Sequence, residues 1–205
     1  MKKILFTIFI IVMNAGCAVQ QMTAEQSAKI HTIKVDRVIQ MPEEMYINAP
    51  NPVATVCFGA LGSAISSDIA KKNKFQALNS IKKEIPEMVA KSVENELKRN
   101  SRFKPAQKGR ADAVMKIHVK LYGFSIPNGY SSVVKPMINL QAELYDLNGV
   151  VIWQDYTLQS LLTSDLPTYD PDRLSKNPNL MRAALNIAAH DAAQKLVQAI
   201  NKTSD

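Results

Sequence analysis

Between Ala113 and Tyr122 the chain alternates without a break: Ala113, Met115, Ile117, Val119 and Leu121 on one side, Val114, Lys116, His118, Lys120 and Tyr122 on the other. Successive side chains of an extended strand point to opposite faces, so this pattern predicts a strand with one buried and one solvated face. A second run of the same kind sets Ile138, Leu140, Ala142 and Leu144 against Asn139, Gln141, Glu143 and Tyr145. It is followed by Asp146-Leu147-Asn148-Gly149 and then by Val150 to Tyr156. Asn-Gly between two extended runs is a hairpin signal, so the three runs predict an antiparallel meander. Trp153, close to Tyr145, Tyr156 and Tyr122 in this arrangement, is expected in the packing of the hairpin rather than as an exposed anchor.

A sheet with one apolar face needs a cover. Ile81, Ile85, Met88 or Val89, Ser92 or Val93 and Leu97 recur every three to four residues, with Lys82, Lys83, Glu84, Glu87, Lys91, Glu94, Glu96 and Lys98 on the other side. This is the pattern of an amphipathic helix with a solvated charged face. Pro86 falls inside it and is expected to kink it or to start its second half. Asn177-Pro178 reads as the N-cap and first residue of a last helix, whose stripe is Leu185, Ala188 or Ala189, Ala192, Leu196 and Ala199 or Ile200. Residues 159–176 read as a loop. Ile33 and Val35 alternate with polar neighbours as a first strand, and Met45-Tyr46-Ile47, bracketed by Pro42, Pro50 and Pro52, as a short extended piece. The expected fold class is α+β, a mostly antiparallel sheet of three to five strands with two long amphipathic helices packed on one face.

The N-terminus carries a different kind of information. Met1-Lys2-Lys3 is a basic start, Ile4 to Met13 an apolar run of ten residues, and Ala15-Gly16 a small-residue cleavage context. Ten apolar residues are half of what a spanning helix needs, so residues 1–16 read as a secretory signal. Cys17 follows directly, and Ala15-Gly16-Cys17 resembles the lipobox of bacterial lipoproteins, with Asn14 standing where that family usually has an apolar residue. The alternative is an ordinary signal followed by an unrelated cysteine. The lipobox resemblance implies a lipid on Cys17, and Ala18 rather than Asp after it implies the outer membrane, periplasmic face. Residues 17–28, small and polar after Cys17, then read as a lipidated tether, and 29–205 as one periplasmic domain. Loss of the signal also changes the charge balance. Of 25 basic residues, Lys2 and Lys3 leave with the signal, and 23 remain against 18 acidic, a balance of +5 rather than +7. Nucleic acid is not an expected partner of a periplasmic chain; anionic head groups and acidic envelope surfaces are.

Residues 53–67 are the least conventional part of the domain: apolar, rich in Gly and Ala, and free of charge from Val53 to Ile65. Gly59 and Gly62 would let a helix approach another backbone closely, which makes self-association through Gly59, Gly62 and Cys57 one expectation and packing on the domain's own core another. Cys57, with Cys17 lipidated, has no partner in the chain; a buried thiol and an intermolecular disulfide are the two readings.

Known catalytic patterns are missing. The sequence has no phosphate-binding glycine loop, no His-Glu-x-x-His, no paired-cysteine metal site and no Gly-x-Ser-x-Gly. His31, His118 and His190 fall in different elements. Asp165, Asp170 and Asp172 beside Tyr169 lack the glycine and terminal glutamate of a calcium loop. No catalytic residue, metal or cofactor is expected.

The order of lipobox, early strand, Gly/Ala-rich segment, amphipathic helix, the strand led by Ala111-Asp112-Ala113, the Asn148-Gly149-Val150-Val151-Ile152-Trp153 hairpin and a closing Ala-rich helix resembles small outer-membrane lipoproteins. Their fold is similar to the N-terminal domain of TolB, and they include auxiliary lipoproteins of ABC-type lipid transport and lipoprotein activators of penicillin-binding proteins. The resemblance implies a non-enzymatic, lipid-anchored adaptor or assembly factor that docks onto an envelope protein complex. The alternatives are a self-assembling or membrane-active lipoprotein using residues 53–65 and, with less support, an envelope hydrolase.

Overall fold

The computed structural model describes residues 19–48, 68–106, 111–128, 131–158 and 165–202, with 68–78 as backbone alone. Among them, in chain order, are α1 (Ala24–Lys29), β1 (Thr32–Val35), β2 (Tyr46–Asn48), α2 (Asp68–Asn100), β3 (Lys104–Pro105), β4 (Ala113–Ser125), β5 (Lys135–Tyr145), β6 (Val151–Tyr156), α3 (Pro171–Lys176) and α4 (Pro178–Lys202). Helices and one sheet make the fold α+β. None of these helices is long and apolar enough to cross a membrane.

The sheet is mixed and has six strands, in the order β3-β1-β4-β5-β6, with β2 pairing β4 further along. The meander is present: β4 to β5 and β5 to β6 are antiparallel. The sheet is mostly antiparallel as expected, but it has six strands rather than three to five, and its other edge is parallel: β1 and β2 both run parallel to β4, and β1 runs parallel to β3. The reason is the connection. A parallel neighbour requires a crossover rather than a tight turn, and the 33 residues of α2 lie between β2 and β3. The stretch from Thr32 to Asn48 follows β4 along its length, touching it at Ile33–Ala113, at the bridge from Gln40 to His118 and at Tyr46–Gly123.

Ala113, Met115, Ile117 and Val119 are buried as the alternation predicts, and Lys116 and Lys120 are exposed. Past Val119 the phase changes. Val119 faces Leu140 and Leu121 faces Asn139, so Lys120 is an extra residue without a partner on β5. A bulge of this kind shifts every later side chain to the opposite face. Tyr122, expected on the polar side, is buried with Phe124, and Leu121 is only half-buried. Near its end β4 makes room for β2 with Gly123, whose φ is +147° and which lies against the Tyr46 backbone. At the other hairpin, Leu147, Asn148 and Gly149 form a three-residue loop. Gly149 adopts φ +80°, and the Asp146 carboxylate accepts from the N–H groups of Asn148 and Val150, both at 2.9 Å.

Ile81, Ile85, Val89, Val93 and Leu97 of α2 and Met181, Leu185, Leu196 and Ile200 of α4 share one core with the apolar side of the sheet. Helix α2 touches β1 and β3, α4 touches β5 and β6, and the two helices touch each other. Five alanines of α4, Ala184, Ala188, Ala189, Ala192 and Ala193, are completely buried in its 25 residues, which keeps that helix close to its neighbours. Trp153 is fully buried against this core, as expected for hairpin packing. Pro86 sits inside α2 without ending it. Asn177 does cap α4, its side-chain oxygen accepting from Leu180 N–H at 3.1 Å. The loop expected over 159–176 contains a short helix, α3, because Asp170 caps it at Arg173 N–H (2.8 Å) and Pro171 takes a first-turn position where no donor is lost.

The N-terminal segment is also more ordered than a polar tether. Gln20 and Gln154 exchange backbone hydrogen bonds of 3.1 and 2.9 Å, Gln20 Nε2 donates to Val151 O at 2.8 Å, and Met22 is buried in the core. Thr23 and Gln26 then form a reciprocal capping box that opens α1.

Candidate functional site

The strongest candidate is the side of the sheet that carries Lys116 and Lys120. Register places its residues in rows. Val114 stands beside Lys34 of β1 and opposite Tyr145. Lys116 stands opposite Glu143, which faces Gln154, which in turn pairs with Gln20. His118 stands between Gln40 and Gln141, and Gln141 faces Tyr156. Each of these side chains is exposed or half-buried, because the alternation that sends Met115, Ile117, Ala142 and Leu144 into the core turns these outward.

The middle of the face is a connected polar group. The Lys116 ammonium lies 4.4 Å from the centre of the Tyr145 ring, the Tyr145 hydroxyl donates to Glu143, and Gln141 Nε2 donates to the same carboxylate at 3.4 Å. The hydrogen bond to Glu143 and partial burial raise the Tyr145 pKa above the usual phenol value, so the hydroxyl keeps its proton. His118 Nδ1 lies 3.1 Å from Gln40 Oε1. Lys34, Lys116 and Lys120 extend from this face into solvent, with Glu143 as an acidic counterweight. Side chains of this kind recognise carboxylates and amides through charge-assisted and ordinary hydrogen bonds. As a surface it is suited to binding.

One edge of the face is clamped. Asp112 Oδ2 accepts from His31 N–H (2.9 Å), Thr32 N–H (2.8 Å) and the Thr32 hydroxyl (2.9 Å), and Asp112 N–H donates to Thr32 O at 3.0 Å. These donors hold the Asp112 carboxyl below the usual aspartate range. Alternation gave no reason to single out Asp112 beyond its place at the strand lead-in, since its partners are 80 residues away in sequence. The same holds for Arg37, whose guanidinium reaches Glu87 at 3.0 Å and Glu94 at 2.7 Å on the charged side of α2.

A groove between α2 and α4 is the second feature, lined among others by Lys83, Glu87, Lys91, Asn186 and His190. His190 Nε2 is 3.5 Å from the Glu96 carboxylate, which is 2% exposed and accepts from Asn100 Nδ2 at 2.7 Å. At one end Arg182 grips Glu84 with two nitrogens, at 2.6 and 3.0 Å; this pairing lowers the Glu84 pKa and raises that of Arg182. These contacts join the helices to each other.

The residues singled out for lipidation and self-association, Cys17, Cys57, Gly59 and Gly62, lie outside the described residues. His31, His118 and His190 belong to the β1 lead-in, β4 and α4, and among the described residues no group of histidine, cysteine, aspartate and glutamate is arranged to hold a metal. Asp170 serves as the α3 cap.

No family model matches the chain, and no curated protein matches it in sequence. Among solved structures, it is similar to the protein XCC0632 from Xanthomonas campestris, of the family model DUF330, at 14% identity and a TM-score of 0.49, over 92% of this chain and 89% of that one. It is also similar to a PelC dodecamer from Paraburkholderia phytofirmans, at 12% identity and a TM-score of 0.39, over 88% of this chain and 93% of that one.

Proposed function

We propose that this chain is a lipid-anchored protein of the outer membrane, facing the periplasm, that works without catalysis as an adaptor or assembly factor on an envelope protein complex. The observation that carries the reading is the polar side of the sheet, where Lys34, Lys116 and Lys120 stand exposed around a preorganised Lys116–Tyr145–Glu143–Gln141 group. In this reading the two long helices cover one side of the sheet as a second layer, and the lysine side receives the partner. The lipobox at Ala15-Gly16-Cys17 supports the anchor, and the order of elements supports kinship with lipoproteins similar to the N-terminal domain of TolB. A partner surface rich in carboxylates and amides fits three lysines and a histidine.

The test combines labelling with cross-linking in cells. Radiolabelled palmitate should enter the wild type and not Cys17→Ala. A photo-reactive residue at position 116 or 120 should give a discrete protein adduct, and one at Ile187 on the exposed side of α4 should not. An unlabelled wild type overturns the anchor. Equal adducts from positions 116 and 187 overturn the docking face.

A further inference from the structure

We infer that the groove between α2 and α4 binds an extended acidic peptide segment, with Lys83 and Lys91 taking its carboxylates and Ser92, Asn95 and Asn186 its backbone. The site lies in the helical layer and depends neither on a lipid at Cys17 nor on the lysine side of the sheet. One wall of the groove is the row Lys83, Glu87, Lys91 and Asn95, spaced four residues apart and so on one face of α2. At that spacing Glu87 would ordinarily pair with the lysine on either side of it. Its carboxylate is drawn instead to Arg37 at 3.0 Å, and Glu84 is gripped by Arg182 at 2.6 and 3.0 Å. Lys83 and Lys91 are left exposed, and among the described residues neither has an ion-pair partner. Ser92, which also lines the groove, is only 7% exposed, and among the described residues its hydroxyl has no hydrogen-bond partner. A nearly buried hydroxyl without a partner is unusual, and this one is placed to bond a group that enters the groove.

The dimensions select an extended chain. The groove has a volume of about 590 Å³, within the range of ligand sites. Lys83 and Lys91 are eight residues apart, about 12 Å along the helix, and Asn95 extends the row to about 18 Å. A peptide in extended form rises about 3.3 Å per residue, so side chains at its first and fifth positions stand on one face about 13 Å apart, the spacing of the two lysines. A small dicarboxylate is far shorter than that. Asn95 on one wall and Asn186 on the other carry amides with both donor and acceptor groups, the complement of peptide N–H and C=O. Half-buried Met88 adds an apolar contact. The groove is formed in advance, because the Arg182–Glu84 pair and the His190–Glu96 contact tie the two helices together along it. Ile187, next to Asn186 but about 100° further round α4, does not line it.

The experiment measures fluorescence anisotropy of a labelled peptide, serines with glutamates at its first and fifth positions, against the full chain in detergent. Binding should weaken about tenfold in Lys83→Gln with Lys91→Gln, the loss of two exposed ion pairs, and about threefold in Ser92→Ala, the loss of one hydrogen bond. Lys98→Gln with Lys202→Gln removes the same charge from exposed sites on the same helices outside the groove and should leave binding unchanged. All four lysines are exposed, so the urea midpoint of each variant should match that of the wild type. No saturable binding up to about 1 mM peptide overturns the site. Equal losses from the two lysine pairs, or none from Lys83→Gln with Lys91→Gln, show attraction to net charge or binding elsewhere and overturn it too. Displacement of the peptide by free glutamate at equal concentration overturns the extended-chain reading. Polygalacturonate competing as well as unlabelled peptide, at equal carboxylate concentration, overturns the peptide in favour of an acidic polysaccharide.

Discussion

Gly123→Ala is the sharpest test of how β2 is held. Replacing glycine by alanine usually stabilises by about 0.4–1 kcal/mol, because the unfolded chain loses freedom. Here an alanine Cβ would stand 1.8 Å from the Tyr46 carbonyl oxygen, 2.8 Å from its carbon and 3.0 Å from its nitrogen. Ordinary carbon–oxygen contacts begin near about 3.3 Å, so Tyr46 must retreat by about 1.5 Å. The obstacle is backbone, which has no rotamer to change. A ladder hydrogen bond stretched by that amount passes about 4 Å and is lost. Three residue pairs join β2 to β4, and Ile126 N–H donates to Asn48 O at 3.0 Å beyond them. About three bonds at a net 1 kcal/mol each, with about 1–3 kcal/mol for a non-glycine residue at φ +147°, outweigh the unfolded-state gain and leave a destabilisation of about 4 kcal/mol. With a urea m-value of about 2 kcal/mol/M, the unfolding midpoint should fall by about 2 M. Gly149→Ala is the control, since φ there is +80° but nothing lies within 4 Å of the added carbon; it carries the strain alone, about 1 kcal/mol, or about 0.5 M in midpoint. Hydrogen exchange should show lost protection at Tyr46–Asn48 with the meander still protected. Equal midpoints for the two variants would refute the steric argument.

Two further outcomes can be checked with the same assay. The Asp112 carboxyl has its pKa depressed by the His31 and Thr32 N–H groups, so it contributes stability above its ordinary value of 3.8, and that contribution is lost as pH falls through the lower folded value. Asp112→Asn should be less stable than the wild type at about pH 6, with the gap closing toward pH 3; a gap independent of pH would show that the charge is irrelevant. Trp153 is fully buried, and its Nε1 has no hydrogen-bond partner among the described residues. Trp153→Ala should cost about 3–5 kcal/mol, whereas Trp153→Phe should be within about 1 kcal/mol of wild type, because the lost ring area is offset by removing an unsatisfied donor worth about 1–3 kcal/mol. A Phe variant as unstable as the Ala variant would mean that Nε1 is satisfied.

Period-two alternation located β4 and β5, and β6 and the order of the meander followed from the Asn148-Gly149 turn. The same reasoning went astray at Lys120, since a bulge leaves no mark in an alternating pattern until a large residue, here Tyr122, turns up on the wrong face. Parallel pairing of β1 and β2 was not legible either. Four- and three-residue strands carry little periodicity, and their partner lies beyond a 33-residue helix. The lysine side of the sheet was visible as Lys116, His118 and Lys120, whereas the clamp at Asp112 and the grip of Gln20 on β6 depend on contacts across 80 and 131 residues. Contacts at such separations arise from the fold and have no local signature.

The docking of Gln20 also changes what a lipid on Cys17 would do mechanically. A flexible tether over residues 18–28 would let the domain sample a sphere of about 20 Å around its anchor, since reach grows as about 5–6 Å times the square root of the residue number. With Gln20 paired to Gln154 and Met22 in the core, two residues, Ala18 and Val19, separate the anchor from the sheet. Orientation is then set by the edge strand. Because β6 lies at one edge of the sheet and β1 and β3 at the other, an anchor beside β6 leaves Lys34 and the Asp112 clamp furthest from the lipid. A partner meeting the lysine side would encounter a surface already turned in one direction, and would not have to halt a freely tumbling domain. Preorganisation of this kind lowers the entropic cost of association, and it depends on the Gln20–Gln154 pair as much as on the lipid.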